Sequence, residues 1–198
     1  MSLWLAALMG YLIGGIPTGI WLTKAIAGQD PRAVGSGSSG ATNVSRLLGK
    51  KWGVVVLLLD GLKGFLPVAL VAPLVWPHQA AQAQAFMACG AVAGHVFTPY
   101  ARFRGGKGVA TAGGAMAAVH GMALLMALGV WILAFVASRR VSLSSMCAAA
   151  AFPLLMYVGE ERPEMTEVMS GIVLALFLFY THRENIQRLI NGTEPRYR

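Results

Sequence analysis

Long apolar segments alternate with short polar loops along most of the chain. A helix that crosses the hydrocarbon core of a bilayer takes about 20 residues, and most of these segments approach or exceed that length. They lack the alternation of apolar and polar positions that marks an outer-membrane barrel. The segments are 3–26, 53–77, 83–98, 109–137, 142–158 and 167–181. The pattern predicts an all-α integral membrane protein, whose first segment is a retained helix because it lacks the basic start of a signal peptide.

The loops between these segments differ in charge. The segment 159–167 holds four of the eight acidic residues, with Arg162 as its only cation, and the turn 78–82 holds neither lysine nor arginine. The other loops and the tail are basic, and their cations include Arg32, Arg46, Lys50, Lys51, Arg102, Arg104, Lys107, Arg139, Arg140, Arg183, Arg188, Arg196 and Arg198. Because cations gather on the cytoplasmic side of membrane proteins, the N-terminus is predicted outside and the C-terminus in the cytoplasm.

The segment 109–137 decides the number of crossings. The basic loops on either side of it, 99–108 and Arg139-Arg140, should lie on the same face, so the segment is predicted to cross twice. A break at His120-Gly121 would divide it into two short helices, giving seven transmembrane helices in all. The alternative is one long helix with Arg139 and Arg140 outside, which fits the distribution of cations less well.

Composition supports the membrane class. Hydrophobic residues make up 56% of the 198 residues, charged residues only 12%, and the mean hydropathy is +0.61, too apolar for a soluble domain of this length. The net charge of +8 is explained by the cytoplasmic cations and needs no nucleic acid partner. Cys89 and Cys147 lie inside apolar segments and are predicted to be small buried residues. The whole chain, 1–198, is predicted to form one domain.

The first unusual polar stretch is GSGSSGATN, residues 35–43, followed by Arg46. Glycines let backbone N–H groups point at an anion, and the small polar side chains add donors. The candidate phosphate-binding residues of this stretch are Ser36, Gly37, Ser38, Gly40, Thr42, Asn43 and Arg46. A flexible Gly/Ser linker is the alternative, but the ATNVSR that ends the stretch argues against a spacer.

The second stretch is RFRGGKGVAT, residues 102–111. It is not a nucleotide-binding P-loop, because Ala101 and Gly108 stand where that motif needs glycine and serine or threonine. Lys107 lies among glycines, whose backbone N–H groups should be exposed, before a helix that should begin near Val109. The stretch is therefore predicted to bind phosphate. The candidate phosphate-binding residues are Gly105, Gly106, Lys107 and Gly108. Arg102 and Arg104 could act only in setting the topology and in contacting anionic lipid headgroups.

The third stretch is THRENIQRLINGTE, residues 181–194. Ile186, Leu189 and Ile190 have helical spacing, which predicts an interfacial helix lying on the membrane. His182, Arg183 and Asn185 would stand at its start and are candidate site residues; for a single histidine, a plain interfacial role is the alternative.

Two ionisable residues interrupt the second apolar segment, in LLLDGLKGF. Charged groups inside a membrane are costly and usually functional. Asp60 and Lys63, spaced i and i+3, can pair on one helix face. We expect Asp60 to support the site and Lys63 to face it, the alternative being a buried structural ion pair.

Taken together, these stretches resemble one family, the bacterial membrane glycerol-3-phosphate acyltransferases that use acyl phosphate (the PlsY family). The resemblance covers essentially the whole chain, and only the set of motifs is specific. Its motifs are GSGSSGATN at 35–43, DGLKG at 60–64, AGHVFTPYARFRGGKGVAT at 93–111, VSLSS at 141–145 and THRENIQRLINGTE at 181–194. There are two departures from the family pattern. Ser38 stands where the family usually has asparagine, and Thr98 separates Phe97 from Pro99 where the family often reads GHxFP.

The resemblance implies transfer of a fatty acyl group from acyl phosphate to the 1-hydroxyl of glycerol 3-phosphate, the first acylation of phospholipid synthesis. The products would be lysophosphatidic acid and phosphate, and the enzyme would lie in the bacterial cytoplasmic (inner) membrane with its site on the cytoplasmic side. The expected catalytic residues are His95, Lys107, His182 and Asn185. Ser142 and Arg183 would help to bind phosphate, and Thr111 would have a supporting role.

Acyl phosphate is an activated mixed anhydride, so direct attack by the glycerol hydroxyl is predicted, without an acyl-enzyme. No metal, cofactor or obligatory protein partner is expected; the partners are the two substrates and membrane lipid. From the residues alone, an organophosphate transporter stays open as the alternative, although no inverted repeat is evident. A scaffold that binds anionic lipid would need only scattered cations. The assignment of the reaction rests on the resemblance.

Overall fold

The computed structural model describes residues 1–159 and 163–197, and the regular structure within these ranges is helical. Glu160, Glu161 and Arg162 of the predicted acidic loop, and Arg198 of the basic tail, lie outside the described residues. The chain divides into two compact units, Met1–Ala118 and Val119–Arg198.

The first unit is built from helices that alternate between long membrane segments and short connecting elements. A π-helical turn, Pro67–Val71, continues α4 into α5, and short 3-10 turns occupy Pro31–Ala33, Pro77–Gln79 and Pro99–Ala101. The α-helices are α1 Leu3–Gly14, α2 Thr18–Ala27, α3 Ala41–Leu48, α4 Lys50–Leu66, α5 Ala72–Val75, α6 Ala80–Val96 and α7 Val109–Ala117.

The second unit holds two long helices and a bent pair. Its helices are α8 Gly121–Ser138, α9 Val141–Gly159, α10 Met165–Thr181 and α11 Arg183–Ile190. A capping box at Glu164 and Glu167 begins α10, satisfying backbone N–H groups that have no partner inside the helix. The predicted helix in 181–194 is confirmed as α11.

Several of these elements are long and apolar enough to cross a membrane. Leu3–Ala27, Lys50–Val75, Gly121–Ser138 and Val141–Gly159 qualify individually, and α10 with α11, bent by 59°, adds a fifth candidate within the described residues. The chain is therefore a multi-pass helical membrane protein. The seven-helix count and the orientation of the termini stay predictions.

The predicted break inside 109–137 is confirmed. Helix α7 ends at Ala117 and α8 begins at Gly121, and His120, the residue before α8, is almost fully buried. At 1.5 Å per residue, the nine residues of α7 extend about 14 Å, less than half of a hydrocarbon core of about 30 Å.

Glycines let helices of the first unit pack backbone against backbone. A Cβ added to Gly10 or Gly14 of α1 would overlap the backbone of α6 at Met87 or Ala91. In the same way, Gly90 and Gly94 of α6 lie against α1. Both pairs have the small-xxx-small spacing of tightly packed membrane helices.

Helices α4 and α7 meet by the same device. A Cβ on Gly64 would overlap the carbonyl of Thr111, and one on Gly114 would overlap the carbonyl of Gly61. This close approach brings the start of α7 beside the ionisable residues of α4, where the candidate site begins.

Candidate active site

A buried polar cluster occupies the interior of the first unit and draws on four helices. At its centre, the Asp60 carboxylate of α4 lies 2.8 Å from the Lys63 Nζ and accepts a 2.5 Å hydrogen bond from Thr18 Oγ1 of α2. His95 Nδ1 of α6 lies 3.6 Å from the same Asp60 oxygen and 3.2 Å from Thr111 Oγ1 of α7. The predicted pairing of Asp60 with Lys63 is confirmed.

Burial makes these contacts necessary. The Asp60 side chain is 2% exposed and that of Lys63 is 7% exposed, so each charge relies on protein partners instead of water. The lysine also donates a 2.8 Å hydrogen bond to the Ile16 carbonyl, in the short interruption between α1 and α2. The cluster therefore connects α2, α4, α6 and α7 through side-chain contacts inside the first unit.

His95 connects this cluster to the glycine loop 105–108. A Cβ on Gly106 would overlap His95 Nε2, and one on Gly105 would overlap the His95 carbonyl. Only glycine fits at these two positions without displacement, so the loop lies directly against the imidazole and the end of α6.

The amides of these glycines are used inside the chain. Gly105 N donates to the Val96 carbonyl over 2.9 Å, and Gly106 N donates to the His95 carbonyl over 3.2 Å. The sequence-based expectation that these glycines leave their N–H groups free for an anion is therefore wrong for these two. Phosphate binding by the loop stays a prediction that rests on Lys107, Gly108 and the first turn of α7.

The N-terminus of α7 has the positive electrostatic character that phosphate binding requires. Gly108 precedes the helix with φ +85°, a conformation that glycine adopts readily, and the first intrahelical bond runs from Ala112 N to the Gly108 carbonyl. The N–H groups before that bond have no acceptor within the helix and give its N-terminus partial positive charge. Lys107, half-buried beside them, adds a full charge.

In the loop 35–43, Asn43 organises the backbone. Its Nδ2 donates to the carbonyls of Pro31, Ser38 and Val34 at 2.7, 2.9 and 3.1 Å, and its Oδ1 accepts from Ser36 N at 3.1 Å. The side chain is 2% exposed. The amide of Asn43 thus holds the loop in shape, whereas the sequence offered it as a phosphate donor.

The other candidates of this loop differ in exposure. Ser38 Oγ accepts a 3.2 Å hydrogen bond from Gly40 N just before α3. Arg46, on α3, and Gly37, which has φ +68°, are exposed. Thr42 lies half-buried in the first turn of α3.

Arg32 links the two candidate phosphate loops. Its Nη1 donates to the carbonyls of Ala101 and Arg104, both at 2.8 Å, and its Nη2 lies 2.7 Å from an Asp30 oxygen. The side-chain hydrogen bonds that Arg32 donates to the Asp30 carboxylate, together with the charge of Arg32, lower the pKa of Asp30 to about 2. Because Asn43 holds Pro31 and Val34, the stretches 31–43 and 101–105 form one connected surface, as the sequence-based topology required.

In the second unit, Glu194 is the centre of a separate polar cluster. One oxygen accepts from Ser142 Oγ at 2.5 Å and from Asn185 Nδ2 at 2.7 Å, and the other accepts from Arg188 Nε at 2.8 Å. Burial alone would raise the pKa of Glu194, but the bonds from Ser142, Arg188 and Asn185 outweigh it and lower the pKa below its ordinary 4.5. Two predicted site residues, Ser142 and Asn185, therefore meet on one carboxylate.

His182 lies between α10 and α11 and is 3% exposed. Its Nδ1 is 2.8 Å from the Leu178 carbonyl. Since a carbonyl can only accept, Nδ1 carries the hydrogen, and the neutral ring has its lone pair on Nε2. Arg183 follows, with its guanidinium 4.7 Å from the Tyr180 ring centroid and donating to the Tyr180 carbonyl.

Sequence reasoning missed Thr18, Arg32 and Glu194 as members of these clusters. Local spacing reveals none of them, because each contacts residues that are 42 to 72 positions away. The GTE at the end of the third motif was the available signal for Glu194. Among the described residues, no group of three or more His, Cys, Asp or Glu could hold a metal ion.

The fold and these clusters define a class: a multi-pass helical membrane protein with buried ionisable groups beneath basic, glycine-rich loops. A family model for glycerol-3-phosphate acyltransferase matches residues 4–192. A glycerol-3-phosphate acyltransferase of Syntrophotalea carbinolica is 44% identical over 197 residues, covering 100% of this chain and 98% of the relative. One from Synechococcus sp. is also 44% identical, covering 99% of this chain and 94% of the relative.

Two solved structures have the same fold. The crystal structure of PlsY (YgiH), an integral membrane glycerol 3-phosphate acyltransferase, in its glycerol 3-phosphate form matches with a TM-score of 0.91 at 38% identity, covering 100% of this chain and 96% of that one. The lysophosphatidic acid form gives 0.89 at 36% identity, with the same coverage. The chain belongs to the glycerol-3-phosphate acyltransferase family, and the resemblance to PlsY is confirmed.

Proposed function

We propose that this protein transfers a fatty acyl group from acyl phosphate to the 1-hydroxyl of glycerol 3-phosphate, releasing lysophosphatidic acid and phosphate. The observation that carries the proposal is the full-length match to PlsY in its glycerol 3-phosphate and lysophosphatidic acid forms. The choice of acyl phosphate as donor rests on the resemblance of the sequence motifs to the PlsY family. This reaction is the first acylation of phospholipid synthesis.

The chemistry is a direct acyl transfer. The glycerol oxygen bonds to the acyl carbon, the bond from that carbon to the phosphate oxygen breaks, and phosphate leaves with its electrons. The protein positions the two substrates and stabilises the developing negative charge. No acyl-enzyme forms, because the mixed anhydride is already activated.

In the first unit, we assign phosphate binding to Lys107 with the start of α7, and to the 35–43 loop with Arg46. The Asp60 cluster supports this arrangement because it positions His95 against Gly106. The Asn43 network supports it by fixing the loop backbone, so that Ser36 and Ser38 are presented from a defined conformation.

In the second unit, we assign phosphate binding to Asn185, Ser142 and Arg183, and to His182 once its Nε2 has taken a proton. The proton of the attacking hydroxyl goes to His95, His182 or a substrate phosphate oxygen. Of the two rings, His182 is better prepared, since its Nδ1 hydrogen bond to Leu178 keeps the basic lone pair on Nε2.

The test is phosphate release by the purified protein, given acyl phosphate with and without glycerol 3-phosphate. We expect release that requires glycerol 3-phosphate and produces lysophosphatidic acid. Lys107→Ala should reduce it at least about 100-fold, as expected for loss of a charged transition-state contact. Lys51→Ala, which removes an exposed cation at the start of α4, is the matched control and should stay within about twofold.

Two further arms separate the parts of the proposal. Acyl coenzyme A in place of acyl phosphate should give no product, and equal product would overturn the donor assignment. Incubation with acyl phosphate alone, followed by intact-mass measurement, should show no acylated protein. A trapped acyl-enzyme would contradict direct transfer.

We also propose that the chain acts as one domain of seven transmembrane helices in the bacterial inner membrane, counting the short α7, which extends only about 14 Å. The N-terminus would be outside, and the C-terminus and the site would face the cytoplasm. A cysteine at position 196, introduced in a Cys89→Ala/Cys147→Ala background, should react with an impermeant maleimide only after the membrane is permeabilised. A cysteine at position 2 should react in intact spheroplasts, and the reverse pattern would invert the topology.

A further inference from the structure

A cavity of about 400 Å³ lies where the first membrane span ends, and of the site contacts described above it shares only Asp30, Arg32 and Ala101. One wall is a single face of α2, made by Ile20, Trp21 and Lys24, which recur with helical spacing. The opposite wall is the turn after α6, including Tyr100 and Arg102. In the described part of the chain, its lining includes no residue of 35–43 or 105–108.

The charges around this cavity leave a net positive site. Asp30 and Arg32, at its edge, offset each other through the 2.7 Å ion pair, and Arg32 is held further by two carbonyls. Lys24 lies 3.9 Å from Asp30 with its side chain 55% exposed, and Arg102 is exposed. The described residues of the lining therefore carry three cations and one carboxylate, a net charge of +2.

The backbone of Arg102 is held in an unusual conformation. It has φ +57° and ψ +40°, a left-handed conformation that is uncommon for arginine. The turn imposes this conformation through the hydrogen bond from Phe103 N to the Thr98 carbonyl. Arg102 thus belongs to a constrained turn after α6 and lines the same cavity as Lys24 of α2.

The aromatic residues indicate where this cavity lies in the bilayer. Trp21 is 55% exposed and Tyr100 is 51% exposed, and tryptophan and tyrosine with exposed rings favour the membrane–water interface. Lysine and arginine at the same depth attract anionic headgroups. Aromatic rings and cations around one concave site match a lipid that has its chains in the bilayer and its phosphate at the surface.

We propose that this cavity binds the phosphodiester headgroup of an anionic phospholipid of the surrounding bilayer, through Lys24 and Arg102, with Trp21 and Tyr100 against the glycerol and upper chains. The site is separate from the residues assigned to the reaction, and the proposal does not depend on the proposed function. It adds a lipid-binding site that couples the protein to the charge of its membrane.

Native mass spectrometry of the full chain in neutral detergent tests this proposal. The protein is titrated with phosphatidylglycerol or phosphatidylcholine, and the lipid-bound fraction is measured. We expect the wild type to prefer phosphatidylglycerol. Lys24→Gln/Arg102→Gln should weaken that binding about 10-fold or more, because each cation near a bilayer surface contributes roughly fivefold.

The matched control is Lys50→Gln/Lys51→Gln, which removes the same charge from exposed residues outside the cavity. Its binding should stay within about twofold of wild type. An equal loss of lipid binding in the control would show that net charge alone causes the effect, and would overturn the proposed site. Unchanged binding in Lys24→Gln/Arg102→Gln, with wild-type thermal unfolding to show that it is folded, would also overturn it.

Two further experiments test where the lipid binds and whether the bound phosphate group belongs to a lipid. Phosphatidylglycerol brominated along its chains should quench part of the tryptophan fluorescence, and Trp21→Phe should remove that part. Inorganic phosphate at millimolar concentration should leave the bound lipid in place. Displacement of the lipid by inorganic phosphate would identify the cavity as a free-anion site and overturn the lipid assignment.

Discussion

Asp60 and Lys63 form a 2.8 Å ion pair one helical turn apart on α4, with side chains that are 2% and 7% exposed. Such a pair is costly to break, because the remaining partner is left as a buried, uncompensated charge. It is less costly to replace the pair as a whole, since burying a neutral side chain costs much less free energy than burying an ion.

The first prediction follows from this asymmetry. Lys63→Met alone should destabilise the protein by about 3–5 kcal/mol, measured by denaturant unfolding in micelles. Asp60→Asn/Lys63→Met should be more stable than the sum of the two single variants predicts. Lys51→Met, at the exposed start of the same helix, is the control and should change stability by less than about 0.5 kcal/mol. Strict additivity of the two single variants would mean that the pair does not couple.

The second prediction concerns Gly106, where a Cβ would overlap His95 Nε2. Gly106→Ala should displace the imidazole, destabilise the protein by about 1–3 kcal/mol and lower the rate of acyl transfer. Gly113→Ala, on α7 where a Cβ meets nothing within 4 Å, should be neutral or stabilise by up to about 1 kcal/mol. The same loss of stability in both variants would show that the contact with His95 is not responsible for the effect at Gly106.

The third prediction distinguishes two roles for Asn43. If its amide holds the loop together, Asn43→Ala should destabilise the protein by several kcal/mol, at about 1–3 kcal/mol for each buried group left unpaired. Asn43→Asp should be at least as harmful, because the carboxylate cannot donate to the carbonyls of Pro31, Val34 and Ser38. Asn191→Ala, at an exposed helix end, is the control. Wild-type thermal unfolding of Asn43→Ala with lost activity would favour direct binding of substrate.

The fourth prediction is a pH dependence centred on Glu194. Its pKa in the folded protein is lower than the ordinary 4.5, so its contribution to stability is complete above pH 4.5 and is lost as the pH falls below that value. The unfolding temperature of the wild type should therefore drop across this range more steeply than that of Glu194→Gln. Glu184→Gln, which removes a largely exposed carboxylate near the same Arg188, should retain the wild-type slope. Parallel slopes for wild type and Glu194→Gln would show that the Glu194 carboxylate does not cause the loss of stability at low pH.

The parts of the fold that the sequence predicted are those governed by local periodicity. The Asp60–Lys63 pair follows from i, i+3 spacing, the break before Gly121 from the length of an apolar segment between two basic loops, and α11 from its apolar face. Each is decided within about 30 residues of chain, where helix geometry and the cost of charge in a membrane leave few alternatives.

The contacts that the sequence did not predict are long-range or involve the backbone. Nothing in the residues around Glu194 reveals that Ser142 lies against it, because loops and tails have no fixed period. The glycine pattern indicated exposed N–H groups in 105–108, which is wrong for Gly105 and Gly106, because composition does not show which carbonyl accepts an N–H group. In the folded chain, the end of α6 accepts two of them.

The contact between α1 and α6 has a mechanical consequence. Where glycines bring two backbones together, there are no side chains whose rotation could absorb a sliding motion, so these helices should move as a single rigid body. Any opening that admits substrate or releases product would then have to bend at other joints. Spin labels on α1 and α6 should keep one narrow distance distribution throughout a catalytic cycle.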